Sequence, residues 1–339
     1  MREVAAVAGV GIKTVSRVVN GEPGVSNDLR GRVRAAIERL DYRQDLNASL
    51  LRRTERKTAT IGLVLDDISN PFSSALGRSV EDVARERGVL VFSGSCEEDP
   101  ARERELIAAL QARRVDGLLV APAGGAEHSY LLAERRAGTA LVFVDRPARF
   151  LDADSVVSDN EGGAQAGVSH LADVGHRRIA FLGDDVSVYT ANARLTGYLA
   201  EVSRRDFEPD SEIVRTGIRS ISDAEATTAE LLRLARPPTA IFAGQNLLAI
   251  GAVRALRAAE LEHTVALVGF DDFLLADLLE PAVTVIAQDP AAIGRAAANL
   301  LFERLDGDES PSRHIVLSPR LIPRGSGEIP PKRRMRRGR

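Results

Sequence analysis

The chain has 339 residues, 44% of them hydrophobic, which is enough for more than one domain with a sizeable core. Its single cysteine, Cys96, excludes an intramolecular disulfide, and no neighbouring ligands complete a zinc site. The sequence has no apolar run of membrane-spanning length and no signal-peptide pattern at its N-terminus. We therefore expect a cytoplasmic protein that does not associate with a membrane.

The net charge of −3 hides an uneven distribution of charge along the chain. Residues 1–57 carry 12 Lys/Arg against 7 Asp/Glu, and residues 332–339 carry six basic side chains and no acidic one. The remaining section, 58–331, holds 27 basic and 41 acidic side chains. Basic ends on an acidic body favour a polyanionic partner for the ends, although such charges also commonly do no more than solvate a surface.

The first forty residues predict three short helices. Helical spacing of apolar residues runs over residues 2–8 and resumes from Ile12 to Val19, after a Gly-Val-Gly turn. Ser26 can act as the N-cap of a third helix. Three helices of this size match a helix-turn-helix domain, in which the second helix reads bases with its N-terminal side chains. A generic three-helix bundle with a solvated charged face explains the same pattern.

The amino-acid sequence of this segment resembles the DNA-binding head of the lac repressor/gal repressor family. The resemblance is carried by Val4-Ala5, Ala8-Gly9-Val10, Thr14 to Gly21, Val25-Ser26, Arg32-Val33, Ala36-Ile37, Leu40 and Tyr42. It implies base contacts at Ile12, Lys13 and Arg17, backbone contacts at Ser16, Asn20 and Tyr42, and an apolar wedge for the minor groove at Leu51.

Two departures from the family concern the stability of the head. The chain starts at Met1 almost inside the first helix, and Gly11 replaces the usual Ser that caps the second helix. Loss of such a cap costs roughly 0.5–2 kcal/mol, although Gly at this position costs only a few tenths. We expect either a head less stable than is typical or a start codon upstream of Met1.

Strand and helix patterns alternate from Thr60 onward, and the alternation restarts after Asp159. This pattern predicts an α/β class protein whose body is a doubly wound parallel α/β domain in two lobes. We place a helix-turn-helix domain at 1–43, a hinge at 44–59 and an effector-binding and dimerisation domain at 60–325. Within that domain the lobes are predicted at 60–158 plus 289–325 and at 159–288. Residues 326–339 have the composition of a disordered basic tail.

Polar residues follow several of the predicted strands, at the positions where doubly wound folds bind small ligands. They are Asp66-Asp67 with Asn70, Asp145-Arg146, Asp159-Asn160, Asp271-Asp272 and Gln288. Carboxylates and Arg can bind vicinal hydroxyls through paired hydrogen bonds, and an aromatic ring can stack on a sugar face. Any one of these Asp residues, taken alone, is more often a helix cap or a turn residue.

Taken together, these residues resemble the same family and the periplasmic sugar-binding proteins. The strings that match include Asp67 to Phe72, Val144 to Pro147, Arg194 to Tyr198 and Val268 to Asp272. The resemblance implies a body of the type I periplasmic-binding-protein kind, with effector contacts at Asn70, Phe72, Asp145, Arg146, Arg194, Gln245, Asp271 and Gln288. Gln245-Asn246 stands where the family commonly has Asn-Asp, which leaves room for an effector other than a common hexose or pentose.

The sequence predicts a DNA-binding transcription regulator. The family resemblance implies that it is a repressor, because repression is the commoner activity in this family. We expect it to bind a palindromic operator as a homodimer or higher oligomer, under the control of a small carbohydrate-like effector. It is not predicted to be an enzyme, because Gly9-Val10-Gly11 lacks the third glycine of a dinucleotide site and no P-loop is present. No catalytic residue, cofactor or metal is expected. The alternative is a cytoplasmic sugar-binding sensor whose DNA-binding head is defective.

Overall fold

The computed structural model describes residues 1–19, 22–42, 58–136, 138–208 and 210–332. The chain divides into two compact units, a head of residues Met1–Thr58 and a body of residues Ala59–Arg339. Asn20, Leu51 and most of the predicted hinge, 44–59, lie outside the described residues. Each helix in the described ranges is too short or too polar to cross a bilayer.

The head contains the three predicted helices, α1 (Arg2–Ala8), α2 (Ile12–Val19) and α3 (Asn27–Arg39). Val4, Val15 and Val33 are fully buried where the three helices meet. The left-handed Gly9 ends α1 with a φ of 62°, and the Arg32 side chain donates to the carbonyl oxygen of Ala8 over 2.7 Å. Arg32 thus satisfies an end of α1 that would otherwise lack a partner.

The strands and helices of the body alternate along the chain. In chain order they are β1 (Thr60–Leu65), α4 (Pro71–Glu86), β2 (Leu90–Ser95), α5 (Pro100–Ala112), β3 (Gly117–Val120), α6 (Leu132–Arg136), β4 (Ala140–Val144), β5 (Asp154–Ser158), α7 (Asn160–Val174), β6 (Ile179–Leu182), α8 (Tyr189–Arg204), β7 (Val214–Arg215), α9 (Ile221–Leu232), β8 (Ala240–Ala243), α10 (Asn246–Ala258), β9 (Ala266–Phe270), β10 (Thr284–Ala287), α11 (Pro290–Leu305), β11 (His314–Leu317) and β12 (Arg320–Ile322).

The first lobe is built on a parallel sheet in the order β11-β5-β4-β3-β1-β2. Its central strands are uninterrupted apolar runs, because a parallel sheet is covered by helices on both faces. Helices α4 and α11 cover one face, where Val80 and Ile293 are fully buried. Ile107 of α5 is fully buried in the cluster on the other face.

The second lobe repeats this plan with the order β12-β10-β9-β8-β6-β7, in which only β12 runs antiparallel to its neighbour. Helices α9 and α10 pack with one apolar cluster of this lobe, and α7 and α8 pack with another. Both sheets belong to the same compact unit, the body of residues Ala59–Arg339.

The predicted end of the first lobe is wrong. We assigned 289–325 to that lobe, but β12 pairs with β10 of the second lobe through partners such as Val285 and Ile322. The chain crosses between the sheets after Ser158, after Ala287 and again between Leu317 and Arg320. The apolar pattern of a three-residue edge strand does not specify which sheet it joins, so the sequence could not locate the third crossing.

The prediction of a disordered tail beginning at 326 is also wrong for its first residues. Ser326 is buried and donates from its hydroxyl to the Leu267 carbonyl oxygen over 2.6 Å. The Glu328 carboxylate accepts from the Thr284 hydroxyl over 2.8 Å, and the His176 ring contacts the Ile329 carbonyl oxygen over 2.8 Å. These long-range contacts hold a polar segment against the second lobe, and composition alone does not reveal them.

Candidate functional site

The first candidate site is the exposed face of α2 in the head. Ile12 and Lys13 lie exposed in its first turn, and Ile12 shows 46% of its surface although it is apolar. Arg17 lies one turn further along and pairs loosely with Glu22, at 3.7 Å. Ser16 is half-buried beside them. The side chains predicted to read bases therefore share the solvent-facing side of the helix.

Tyr42 has a different position from these α2 residues. It is half-buried and packs against the apolar cluster of the head, and its N–H donates to the Ile37 carbonyl oxygen over 3.0 Å. Because the Tyr42 ring packs in the core of the head, the predicted contact between Tyr42 and the DNA backbone would have to come from the Tyr42 hydroxyl.

The second candidate site is a cavity of about 80 Å³ between the two lobes of the body. Since one buried water needs roughly 10–15 Å³, the cavity has room for a ligand of several heavy atoms. All eight predicted effector residues line it. They are Asn70, Phe72, Asp145, Arg146, Arg194, Gln245, Asp271 and Gln288. The structure thus brings together side chains that are up to 218 positions apart in the sequence.

Arg146 anchors the first-lobe wall of the cavity. Its guanidinium lies 2.6 Å from the Glu98 carboxylate and donates to the Pro122 carbonyl oxygen over 2.7 Å. Asp145 lies 3.3 Å from the same guanidinium, on a backbone with a φ of 66°. Burial opposes the charge on Arg146, but Glu98 and Asp145 outweigh it and raise the pKa of the guanidinium.

Arg194 anchors the second-lobe wall. It donates to the Asn160 side-chain oxygen and to the Gly244 carbonyl oxygen, each over 2.8 Å, and it lies 3.4 Å from the Asp271 carboxylate. The guanidinium stands 3.9 Å from the centre of the Phe270 ring, in cation–π geometry. Gln288 donates to the other Asp271 oxygen over 2.6 Å.

A hydrogen bond between two side chains joins the lobes beside the cavity. The Asn246 amide donates to the Asn70 side-chain oxygen over 3.1 Å, and that oxygen also caps α4 by accepting from the Phe72 N–H over 3.0 Å. Asn70 therefore performs the capping role and lines the cavity at once. A second contact between the lobes runs from the Gly125 N–H to the Ser187 carbonyl oxygen, over 3.2 Å.

Three buried polar atoms of cavity-lining residues have no hydrogen-bond partner within the described ranges, and one of them is a donor, Arg146 Nε. Asp145 Oδ1 and Gln288 Oε1 are buried without a donor among the described residues. Burial, the largest cause, raises the pKa of Asp145 against the opposing charges of Arg146 and Arg194. Such an arrangement can bind a small ligand with several hydroxyl donors that touches both walls.

Comparisons with known proteins match both parts of the chain. Residues 1–45 match a model described as bacterial regulatory proteins, lacI family, and residues 168–327 match a periplasmic binding protein-like domain. The ribose operon repressor of Escherichia coli (strain K12) is 32% identical over 329 residues, which cover 96% of this chain and 99% of the repressor.

The chain belongs to the lacI family.

Solved structures extend the similarity of this lacI-family chain to the fold. A crystal structure of the lac repressor dimer bound to operator and the anti-inducer ONPF is 26% identical with a TM-score of 0.84, covering 96% of this chain and 97% of that one. A complex of the transcriptional regulator CelR with cellobiose is 30% identical with a TM-score of 0.71, covering 96% and 98%. The prediction of a DNA-binding regulator with a helix-turn-helix head and a sugar-binding-protein-like body is confirmed. This lacI-family chain is therefore a regulator of transcription rather than an enzyme.

Three acidic cavity residues were absent from the predicted set for this lacI-family chain. Asp66, Glu98 and Asp184 all line the cavity. Burial, together with the charge of Glu98, raises the pKa of Asp66 to about 6, and burial likewise raises the pKa of Asp184. Asp66 directly follows β1 and was a strand-end candidate, but the resemblance did not include it among the effector contacts. Glu98 and Asp184 were missed because they lie three and two residues beyond the ends of β2 and β6.

Proposed function

We propose that this regulator binds a palindromic operator as a homodimer and that a small polyhydroxylated effector, seated between the lobes, controls its affinity for DNA. The observation that carries the effector half is the convergence of the eight predicted side chains on one cavity. The ribose and cellobiose in the names of two relatives support a sugar-like ligand. Several relatives are named as repressors, which supports repression as the effect of this protein on transcription. We place the protein in the cytoplasm.

The DNA-reading half rests on α2. An exposed apolar residue, Ile12, beside the cations Lys13 and Arg17 suits a helix that lies in the major groove. Arg17 can form paired hydrogen bonds with a guanine edge, and Lys13 can contact a base or a phosphate. For Asn20 and Leu51, which lie outside the described residues, the proposed DNA contacts rest on the family resemblance alone.

The homodimer follows from how little DNA one head can read. A single recognition helix contacts only a few base pairs, so two heads on a palindrome give the needed specificity. The body offers exposed apolar side chains for a second copy. Leu274 and Leu278 show 82% and 73% of their surface, and the edge strand β2 exposes Leu90 and Phe92.

Control by the effector follows from its contacts with both walls. A ligand that touches Arg146 in one lobe and Asp271 in the other favours one arrangement of the lobes over another. We propose that residues 44–59 form the hinge that passes this change to the head, 1–43. The coupling must be reciprocal, so operator DNA changes effector affinity by the same factor as effector changes DNA affinity.

The test begins by selecting sequences from random DNA with the full chain. The proposal predicts enrichment of a palindrome, a complex that contains two copies of the chain, and a change in its affinity when members of a sugar panel are added. Leu278→Asp should reduce both dimer formation and operator affinity, whereas Leu132→Asp changes a half-exposed leucine on the first lobe and should affect neither. Binding without sequence preference would favour the sensor with a defective head.

A further inference from the structure

The cavity between the lobes carries an excess of negative charge. Five of the described residues that line it are acidic, and two are cationic, which leaves a difference of 5 − 2 = 3 negative charges when all are ionised. The acidic residues are Asp66, Glu98, Asp145, Asp184 and Asp271, and the cationic residues are Arg146 and Arg194. Uncompensated charges of one sign in a partly buried space are costly, because water no longer solvates them fully.

The two guanidiniums are already engaged by protein acceptors. Arg146 is held by Glu98 and by the Pro122 carbonyl oxygen. Arg194 is held by Asn160, by the Gly244 carbonyl oxygen and by Asp271. An anionic ligand would have to displace these contacts while approaching the acidic groups, so phosphate and carboxylate groups are disfavoured here.

Two of the buried cavity atoms that still lack a hydrogen bond are acceptors, and the third, the donor Arg146 Nε, already lies 3.3 Å from Asp145 Oδ2. Asp145 Oδ1 and Gln288 Oε1 are buried and receive no hydrogen bond from the described residues. A ligand group that only donates satisfies them best, and an ammonium has three donors and no acceptor. The acidic side chains also lie at separate strand ends, and no three of the described His, Cys, Asp or Glu residues are grouped as for a metal ion. An organic cation therefore fits better than a metal.

We propose that the effector is a monosaccharide bearing a protonated amino group, and that the cavity discriminates against sugar phosphates and sugar acids. This inference rests on the proposed function, since it concerns the effector of the same site. The hydroxyl groups of the ligand bond to the polar walls, and its ammonium compensates the charge near Asp66 and Asp145.

The ionisation of the cavity gives the proposal a second signature. The pKa of Asp66 is raised to about 6 by burial and by Glu98, against the opposing effect of Arg146, with a smaller contribution from Asp67. Burial also raises the pKa values of Asp145 and Asp184, and at Asp184 a hydrogen bond from the Asp185 backbone and the charge of Arg219 oppose the rise. A bound cation favours the ionised form of each acid, so binding near pH 6 should release protons into the buffer.

Calorimetric titration of the full chain with matched sugars tests the proposal. The probes are glucosamine, galactosamine and mannosamine, their neutral parents glucose, galactose and mannose, and the 6-phosphates of the parents. We expect one amino sugar to bind at least tenfold more tightly than its parent and its phosphate. Its binding heat at pH 6 should differ between two buffers of unequal ionisation enthalpy, as proton release requires.

The outcomes separate the proposal from the function on which it rests. A parent sugar or a phosphate that binds as tightly as, or more tightly than, its amino counterpart overturns the amino-sugar proposal and leaves a sugar-controlled regulator intact. If none of the sugars binds and none changes operator affinity, the proposed sugar effector and the amino-sugar proposal fail together.

Two variants test whether the selectivity comes from the cavity. Asp66→Asn should reduce the advantage of the amino sugar over its parent severalfold and should lower the proton release. Asp82→Asn makes the same change on the outer part of α4, where Asp82 pairs with Arg85 at 2.9 Å, and should leave the advantage unchanged. An undiminished advantage in a folded Asp66→Asn variant would contradict the assigned location of the ammonium.

Discussion

Asp145 and Asp271 occupy equivalent positions in the two lobes of the body. Each is the first residue after a buried strand, each has a left-handed backbone with a φ of 66° or 69°, and each donates its N–H to the next strand of its sheet. The acceptors are the carbonyl oxygens of Val156 and Ile286, each at 2.9 Å. Left-handed backbone costs of order 1–3 kcal/mol in a non-glycine residue, and its repetition here directs two carboxylates into one cavity.

Although Asp145 and Asp271 have equivalent positions, they should contribute differently to stability. Substitution of each by Asn should reveal the difference. Asp271 accepts from Gln288 and faces Arg194, so Asp271→Asn should lower the free energy of unfolding by about 1.5–3 kcal/mol, as for hydrogen bonds to charged groups. Asp145 has a pKa raised by burial, so Asp145→Asn should leave stability unchanged or increase it near pH 7. Urea unfolding of both variants measures the contrast, and equal losses would contradict it.

Asp66 should make the stability of the body depend on pH. Its folded pKa of about 6 lies above the ordinary 3.8, so the folded state favours the protonated acid. The stability that the protonated acid provides is fully present below pH 3.8 and is lost progressively as the pH rises to about 6. Asp66→Asn should therefore match the wild type at the acid end and exceed its stability above pH 6. Denaturation midpoints measured across this range check the crossing, and a constant difference would refute it.

Two glycines, Gly294 of α11 and Gly77 of α4, should respond differently to substitution by alanine. A Cβ on Gly294 would lie 2.5 Å from the Leu76 backbone oxygen and 2.1 Å from the Ser79 hydroxyl, so Gly294→Ala should cost about 1–3 kcal/mol of stability. On Gly77 the same atom would lie 3.5 Å from Leu65, an ordinary contact. Gly77→Ala should be neutral or stabilising by about 0.5–1 kcal/mol, because alanine favours the helix. Thermal unfolding of the pair decides whether backbone proximity is the cause.

The sequence predicted the elements of this protein better than their connections. Strands such as β1 and β4 are continuous apolar runs, and these identify a buried parallel sheet before any contact is known. The third crossing between the lobes depends on β12, three residues whose sheet is decided by pairing with β10. That pairing is a long-range interaction and leaves no local pattern.

In the candidate site, too, some features could be predicted from the sequence and others could not. Asp145 and Asp271 could be predicted because they follow obvious strands within family-like strings. Glu98 was missed because it lies three residues beyond the end of β2, whereas Asp145 and Asp271 directly follow their strands. The hydrogen bond between Asn246 and Asn70 could not be predicted either, since it exists only once the lobes face each other.

The head should lose base discrimination when Arg17 is removed. Arg17→Ala should weaken binding to the selected operator by about 1–3 kcal/mol and relax the preference at one base pair of each half-site. Arg34→Ala removes an exposed cation from α3 and should weaken DNA binding about equally for all sequences, without changing base preference. Repeating the selection from random DNA with each variant makes the comparison. Unaltered base preference in Arg17→Ala would contradict a reading role for this side chain.

The central claim is that one chain reads DNA with its head and senses a small ligand between the lobes of its body. Fluorescence anisotropy of the selected operator, with and without the ligand, tests it most directly when wild type is compared with Asp271→Ala. We expect the ligand to shift operator affinity in the wild type. In Asp271→Ala the ligand should have no effect, while ligand-free affinity stays within about twofold, or ~0.4 kcal/mol, of the wild type. Loss of ligand-free DNA binding in a folded Asp271→Ala variant, or an undiminished ligand response, would contradict it.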